Sequence, residues 1–247
     1  MNSQICINCG KQLTVKQIQK GNKFCCKGCA TAYRCKAHDP DIFLIKDQDV
    51  LYYFIGLIFS DGNLDKNSSR ITLGFIDKEF VEKIYPLFSD TKKRKIYVRQ
   101  FKKENSFYSI INSNNQTIEK LKQLGLSSAN STNKTMPLIP KEHFGAFMRG
   151  IFDGDGCFYI SRKYKNKNYY AVSITCGSLE FTKAMMESLK EFNISTTMSI
   201  DCRKKIQKNK TYYIHIYKKE SITKFKELIY KHSNMFLLRK WEKFQVI

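Results

Sequence analysis

Two carboxylates occupy matched places in this chain: Asp61 in "FIGLIFSDG" and Asp155 in "MRGIFDGDG", each closing an apolar run and each followed by Gly. The C-terminal end of a helix already gathers negative charge, so an acid placed there works against the dipole. A single Asp-Gly is ordinary helix-stop chemistry. Two in the same context, 94 residues apart, call for a common cause. Small residues recur at helical spacing, Gly56 and Ser60 in the first run and Gly150 and Gly154 in the second, and predict two faces without bulk that pack on each other. Such packing brings Asp61 beside Asp155, an unfavourable pair of like charges unless a cation sits with them. A divalent metal with oxygen ligands resolves the conflict, and a metal between carboxylates on a basic surface points to phosphodiester hydrolysis.

A second group of reactive residues lies at the N-terminus. Six of the nine cysteines fall within the first 35 residues, as Cys6-x2-Cys9 and then Cys25, Cys26, Cys29 and Cys35. Four thiolates at this spacing suit zinc, and a segment under 40 residues needs such a staple to fold. The stretch resembles the short zinc knuckles that begin CxxCGK and close with FCSxxC. The resemblance implies Cys6, Cys9, Cys25 and Cys29 as ligands, with Cys26 in the Ser place and Cys26, Cys35 and His38 as alternates. Cys157, Cys176 and Cys202 stand singly in strand-like segments and are expected in the core. "HDPDIF", with Pro40 and two acids, marks a boundary.

The elements that position the acids follow from a repeat. After each acidic stop the same signals return: a hairpin-like segment, a capped helix ("DKEFVEKI" from Asp77, "SLEFTKAM" from Ser178, offset 101), two more strand-like runs, and a helix ("IEKLKQL" from Ile118, "ITKFKEL" from Ile222, offset 104). The growing offset fits duplication with loop insertions. Ile71, Leu73 and Phe75 alternate with Arg70 and Thr72, and Val172, Ile174 and Cys176 with Ser173 and Thr175, so each sheet has one apolar face that amphipathic helices cover. The expected organisation is α+β: a zinc-binding module over 1–38, a linker over 39–47, and two αββαββα repeats over 48–140 and 141–247.

A net charge of +21 on 247 residues exceeds what solubility requires and points to a polyanion. With no signal peptide and a longest apolar run, Val50 to Phe59, too short to span a bilayer, the chain is expected to be soluble and intracellular, with no membrane partner. Basic runs without acids, "KKRKIYVRQFKK" from Lys92, "RKYKNK" from Arg162 and "RKKIQKNK" from Arg203, adjoin strands. Parity sets Lys95, Tyr97 and Arg99 opposite Ile96 and Val98, and Lys163 opposite Ile160 and Phe158. The candidate DNA contacts are therefore Arg70, Lys95, Tyr97, Arg99, Arg162, Lys163, Lys165, Arg203 and Lys204, arginines suited to guanine edges and turn lysines to phosphate.

The paired motifs resemble the signature of the LAGLIDADG homing endonucleases, in the single-chain form with both copies, over residues from about 48 onward. The second copy is close; the first has Phe59 where the signature has its first Asp. The resemblance implies Asp61 and Asp155 as metal-binding acids with the Ser60 and Gly154 carbonyls beside them, Mg2+ as cofactor, and two saddle-shaped sheets on double-stranded DNA with a long specific target. It implies one scissile phosphate per strand, a monomer that is an internal pseudo-dimer, and a basic residue near each centre, in the places of Lys134 and Lys240. Alternative readings are an intron RNA maturase and a catalytically silent DNA-binding regulator on the same fold. An intein is not expected, because Cys6 is not at the start and "FQVI" lacks His-Asn.

Overall fold

The computed structural model describes residues 5–35, 38–65, 67, 69–101, 105–128, 134–165, 167–201, 210–231 and 233–246, without the side chains of 34, 35, 101 and 105. Cys202, Arg203, Lys204 and the side chain of Cys35 lie outside the described residues.

The chain opens with a knuckle in which Cys6 N–H donates to Lys11 O at 2.8 Å and Gly10 turns at φ +73°. A positive φ is open to Gly at no steric cost. Helix α1 (Val15–Gln19) is fixed by a capping box between Thr14 and Gln17, and α2 (Lys27–Cys35) follows. The first repeat is α3 (Gln48–Asp61), β1 (Asn63–Leu64), β2 (Ile71–Phe75), α4 (Lys78–Phe88), β3 (Tyr97–Phe101), β4 (Asn105–Asn112) and α5 (Asn115–Gln123). The order returns as α6 (Phe144–Asp155), β5 (Gly156–Tyr164), β6 (Lys167–Cys176), α7 (Leu179–Glu191), β7 (Thr197–Ile200), β8 (Tyr212–Ile216) and α8 (Lys219–Tyr230), closed by α9 (Leu238–Lys243). Side-chain caps mark the starts: Asp47 accepts from Val50 N, Asn114 from Thr117 N and Ser178 from Phe181 N.

The fold is α+β, with two antiparallel four-stranded sheets of matching order, β1-β2-β4-β3 and β5-β6-β8-β7. Helices α3 and α6 lie between them, with Tyr53 to Phe59 of the first and Phe144 to Asp153 of the second buried without a break, which explains why their apolar runs show so little polar interruption. Each fully buried Phe or Ile of that core contributes about 1.5–3 kcal/mol. The sheets turn one face to the helices: Ile71, Leu73 and Phe75 on β2, Val172, Ile174 and Cys176 on β6, and Ile214 and Ile216 on β8 are all buried.

Three expectations are corrected. Cys157 is exposed, because it alternates with buried Phe158 and so takes the outer face of β5. Val98 is 56% exposed on the edge strand β3, beyond the reach of the covering helix. A bulge at Ser161, between the Ile160–Tyr170 and Arg162–Tyr169 pairs, reverses the parity after Ile160. Arg162 and Tyr164 thereby join the outer face, and Lys163 moves to the other. Within the segment 39–47, Asp39, Asp41 and Ile42 are buried and hydrogen-bonded to the first repeat.

Candidate active site

Helices α3 and α6 touch backbone to backbone. A Cβ on Gly56 would strike the Phe147 carbonyl and sit 3.0 Å from Gly150 Cα, and one on Gly150 would meet the backbone of Tyr53 and Leu57. No residue larger than Gly fits either place. Ser60 adds a hydroxyl that donates to Leu57 O, Gly56 O and, across the contact, Gly150 O at 3.3 Å. Both helices therefore end together, and the chain leaves each in extended backbone at Gly62 and Gly156. A Cβ on Gly154 would lie 2.8 Å from Asp61 Oδ2, which places the first acid against the residue preceding the second.

The pair is electrostatically loaded. Burial, and then the charge of Asp155, push Asp61 up to about 6, while Lys240 and Lys134 pull it down. Burial also raises Asp155 against the pull of the same two lysines. Lys134 and Lys240 are themselves buried below this surface. The Lys134 ammonium donates to Phe59 O at 2.6 Å, and that of Lys240 to Phe152, Gly154 and Gly156 carbonyls at 2.7, 3.0 and 2.8 Å. Lys134 and Lys240 thus supply donors to carbonyls at the two helix C-termini, although Phe152 O also accepts from Gly156 N. Burial lowers Lys240 to about 8. Two half-buried carboxylates that repel each other, in reach of helix-end carbonyls, form a hard-oxygen donor set that fits a divalent cation.

The cysteine module presents a different donor set. The Sγ atoms of Cys6, Cys9, Cys25 and Cys29 all lie within 4.8 Å of one another, with Cys9–Cys25 at 3.7 Å and Cys25–Cys29 at 3.5 Å. Thiolates about 2.3 Å from a tetrahedral zinc stand about 3.8 Å apart, so the cluster fits that ion. Burial raises the Cys6 thiol, but backbone amides of Cys25, Cys9 and Asn8 bring it down to about 6, towards the thiolate a metal takes. Cys26 does other work: its sulfur accepts from Cys29 N at 3.3 Å, the N-cap role a Ser has there. His38 is also turned away, its Nε2 2.9 Å from Tyr33 O and its ring 4.3 Å from the Tyr33 ring.

On the outer sheet faces, Lys95, Tyr97 and Arg99 are exposed along β3 and its approach. Arg162 lies between two rings, 5.1 Å from Tyr164 and 5.2 Å from Tyr169, and Lys165 caps Tyr164 at 5.6 Å. Arg70 is 58% exposed and only loosely paired with Asp65 at 3.7 Å.

The LAGLIDADG-like domain family matches residues 143–230. That match falls on the second repeat of the chain. The fold of the chain is shared with the N-terminal LAGLIDADG domain of DUF199/WhiA, at a TM-score of 0.52 and 17% identity over 79% of this chain and 89% of that one. The same holds for the homing endonuclease I-WcaI bound to its DNA recognition sequence, at 0.52 and 15% over 80% and 86%. I-DmoI in complex with DNA and Ca superposes at 0.50 and 14% over 84% and 98%. In Methanocaldococcus jannaschii a probable translation initiation factor IF-2 is 28% identical over 218 residues, 82% of this chain, and a reverse gyrase 25% over 204 residues, 81% of this chain. The chain spans only 17% and 11% of those two relatives.

Two arrangements in this chain have no counterpart in the sequence reading. Asp153, at the first acid place of the second motif, is buried and accepts from Tyr53 Oη at 2.7 Å and Leu237 N at 2.8 Å. Phe59, its counterpart, packs instead on Phe147 and Phe181, both at 6.1 Å. On the outer face of β8 and just beyond, Tyr213, His215 and Tyr217 stack in a row, with Ser199 Oγ 2.8 Å from His215 Nε2. The alternation in "YYIHIY" is the sequence signal of this row.

Proposed function

We propose that this chain is a site-specific double-strand DNA endonuclease of the homing type. The observation that carries the reading is the pair of half-buried, mutually repelling acids, Asp61 and Asp155, at the joined ends of α3 and α6 with Lys134 and Lys240 beneath them. In this reading Asp61 and Asp155, with the Ser60 and Gly154 carbonyls, hold Mg2+ or another divalent ion, one scissile phosphate per strand lying over them. The ion supplies Lewis-acid activation of the phosphate and of water when bound. The chain's own contribution is to fix the two acids at one place, to hold the helix-end carbonyls through the lysines, and to offset developing negative charge from below. The outer faces of the two sheets bind the duplex, with Lys95, Tyr97, Arg99 and Arg162 among the contacts. Residues 1–38 hold structural Zn2+ through Cys6, Cys9, Cys25 and Cys29 and extend the DNA surface. The molecule works as a monomer that is an internal pseudo-dimer.

Two further findings support this. The solved relatives of like fold include endonucleases bound to DNA. One segment shared by an initiation factor and a reverse gyrase is what a mobile unit in different hosts would produce. The test is a plasmid library incubated with the protein and Mg2+, with binding and strand breaks scored separately. Recovery of one target cut in both strands is the expected result. Specific binding without breaks would overturn it in favour of a silent DNA-binding protein, and binding confined to an intron RNA in favour of a maturase.

A further inference from the structure

Two buried carboxylates join the cysteine module to the first repeat: Asp41 accepts from Thr117 Oγ1 and Lys120 Nζ on α5 at 3.0 and 2.9 Å, and Asp39 holds the approach to β3. Asp39 Oδ1 accepts from Asp90 N at 2.9 Å and Arg94 Nε at 2.6 Å, and Oδ2 accepts from Arg94 Nη2, Ser113 N and Ser113 Oγ at 2.6, 2.7 and 2.9 Å. The backbone is held as well: Asn114 Nδ2 donates to Asp39 O, Asn112 Nδ2 to Pro40 O, and His38 N to Asp90 Oδ2, at 2.9, 2.9 and 2.8 Å. Charge-assisted and bidentate bonds are the strong ones, and a carboxylate this fully donated to has one position.

What Asp39 grips is the turn that begins the outward-facing strand of the first sheet. Residues 90–94 lead directly into Lys95 and β3, an edge strand paired with β4 and exposed from Tyr97 to Gln100. Arg94 sits inside the run "KKRKIYVRQFKK", yet its guanidinium is half-buried against Asp39, 55 residues earlier in the chain, and so is not available to DNA. In the other direction the grip runs back to the cysteines. His38 lies on Tyr33 of α2, Tyr33 packs on Phe24 at 5.3 Å, and Phe24 and α2 flank Cys25 and Cys29.

We propose that Asp39 is a clasp through which metal in the cysteine module sets the placement of β3, so that zinc controls recognition by the first sheet and not by the second. The module then serves as a metal-dependent brace for one half-site, beyond any contact it makes itself. The strand's role as a DNA contact rests on the endonuclease reading; the coupling of module to strand does not.

The test separates the two. Hydrogen exchange is followed on the full chain without DNA, in wild type and in Asp39→Asn, each before and after a zinc chelator. In wild type, chelation should expose residues 5–35 and also speed exchange in 90–101 by roughly ten- to a hundredfold, while 167–176 and 212–216 hold. In Asp39→Asn, 90–101 should already exchange fast with the module still protected, and chelation should add nothing there. Arg94→Gln, which keeps the polar stem but not the fork, should behave alike. Unchanged protection of 90–101 in chelated wild type, or a normal chelator response of that segment in Asp39→Asn, would overturn the proposal. On a selected target, chelation and Asp39→Asn should each relax base preference in one half-site only; equal loss in both half-sites would also overturn it.

Discussion

The Nζ of Lys240 lies 3.0 Å from the carbonyl oxygen of Gly154, the residue just before Asp155, and binds Phe152 and Gly156 carbonyls as well. Lys134 reaches one such carbonyl, Phe59 O, at the other helix end. The two half-sites are thus braced unequally. Lys240→Met should remove three hydrogen bonds, of which only the Phe152 O acceptor keeps a second donor in Gly156 N, and lower stability by about 1–3 kcal/mol, and Lys134→Met should cost less. Urea unfolding midpoints of the two variants decide it; an inverted order would mean that relief from burying the ammonium outweighs the carbonyls.

The acids and Lys240 together set an unusual pH dependence. Burial raises Asp61 and Asp153 to about 6 and Asp155 upward, so between the usual carboxylate value and about pH 6 the folded state holds protons that the unfolded chain has released. Stability present in mild acid is therefore lost as pH rises to about 6. Lys240, lowered to about 8, has the opposite sign: above that pH the unfolded chain keeps a proton the folded one gives up, and stability returns. Metal-free protein should be least stable between about pH 6 and 8. Thermal melts across pH 4 to 10 at constant salt check this.

Asp61→Asn should flatten the acid limb of that curve and raise metal-free stability at pH 7 by about 1–3 kcal/mol. With either Asp61→Asn or Asp155→Asn, cleavage should fall by several orders of magnitude while DNA binding holds or tightens, since a negative charge has left the phosphate surface. Separate assays of binding and nicking show whether the acids act as ligands; cutting at the wild-type rate would make them helix stops.

Gly150→Val should be among the most damaging single changes, because its side chain meets the backbone of Tyr53 and Leu57, which cannot give way. A loss of at least about 3 kcal/mol is expected from overpacking, with cleavage lost along with the helix contact. Calorimetry of the purified variant measures it.

Zinc analysis of the purified chain should give about one ion, and Cys9→Ser should release it while Cys26→Ser retains it, because the Cys26 sulfur accepts a helix N–H that a hydroxyl can also take. Loss of zinc in Cys26→Ser would reassign the ligand set.

The fold was readable because its strongest signals are local: period-two alternation, capped helices, and a repeat whose offsets can be counted. The acids were readable because they break a local rule in the same way twice. The details that escaped depend on distant residues. Nothing near Arg94 announces that Asp39 will neutralise it, and a bulge of one residue at Ser161 exchanged the faces of Arg162 and Lys163. His215 escaped because neutral side chains leave no mark on a map of charge.

The hydroxyl of Tyr53 donates to Asp153 Oδ2 across the two repeats, and neither residue has a like partner at the matching place in the other helix. The residue matching Tyr53 is Phe147, and that matching Asp153 is Phe59. A homodimer assembled from the first half would bury two tyrosine hydroxyls with no acceptor, and one from the second half two carboxylates facing phenyl rings. The duplicated halves have become obligate complements. Any chimaera that exchanges one half for another's to change the target must carry this pair across the seam together.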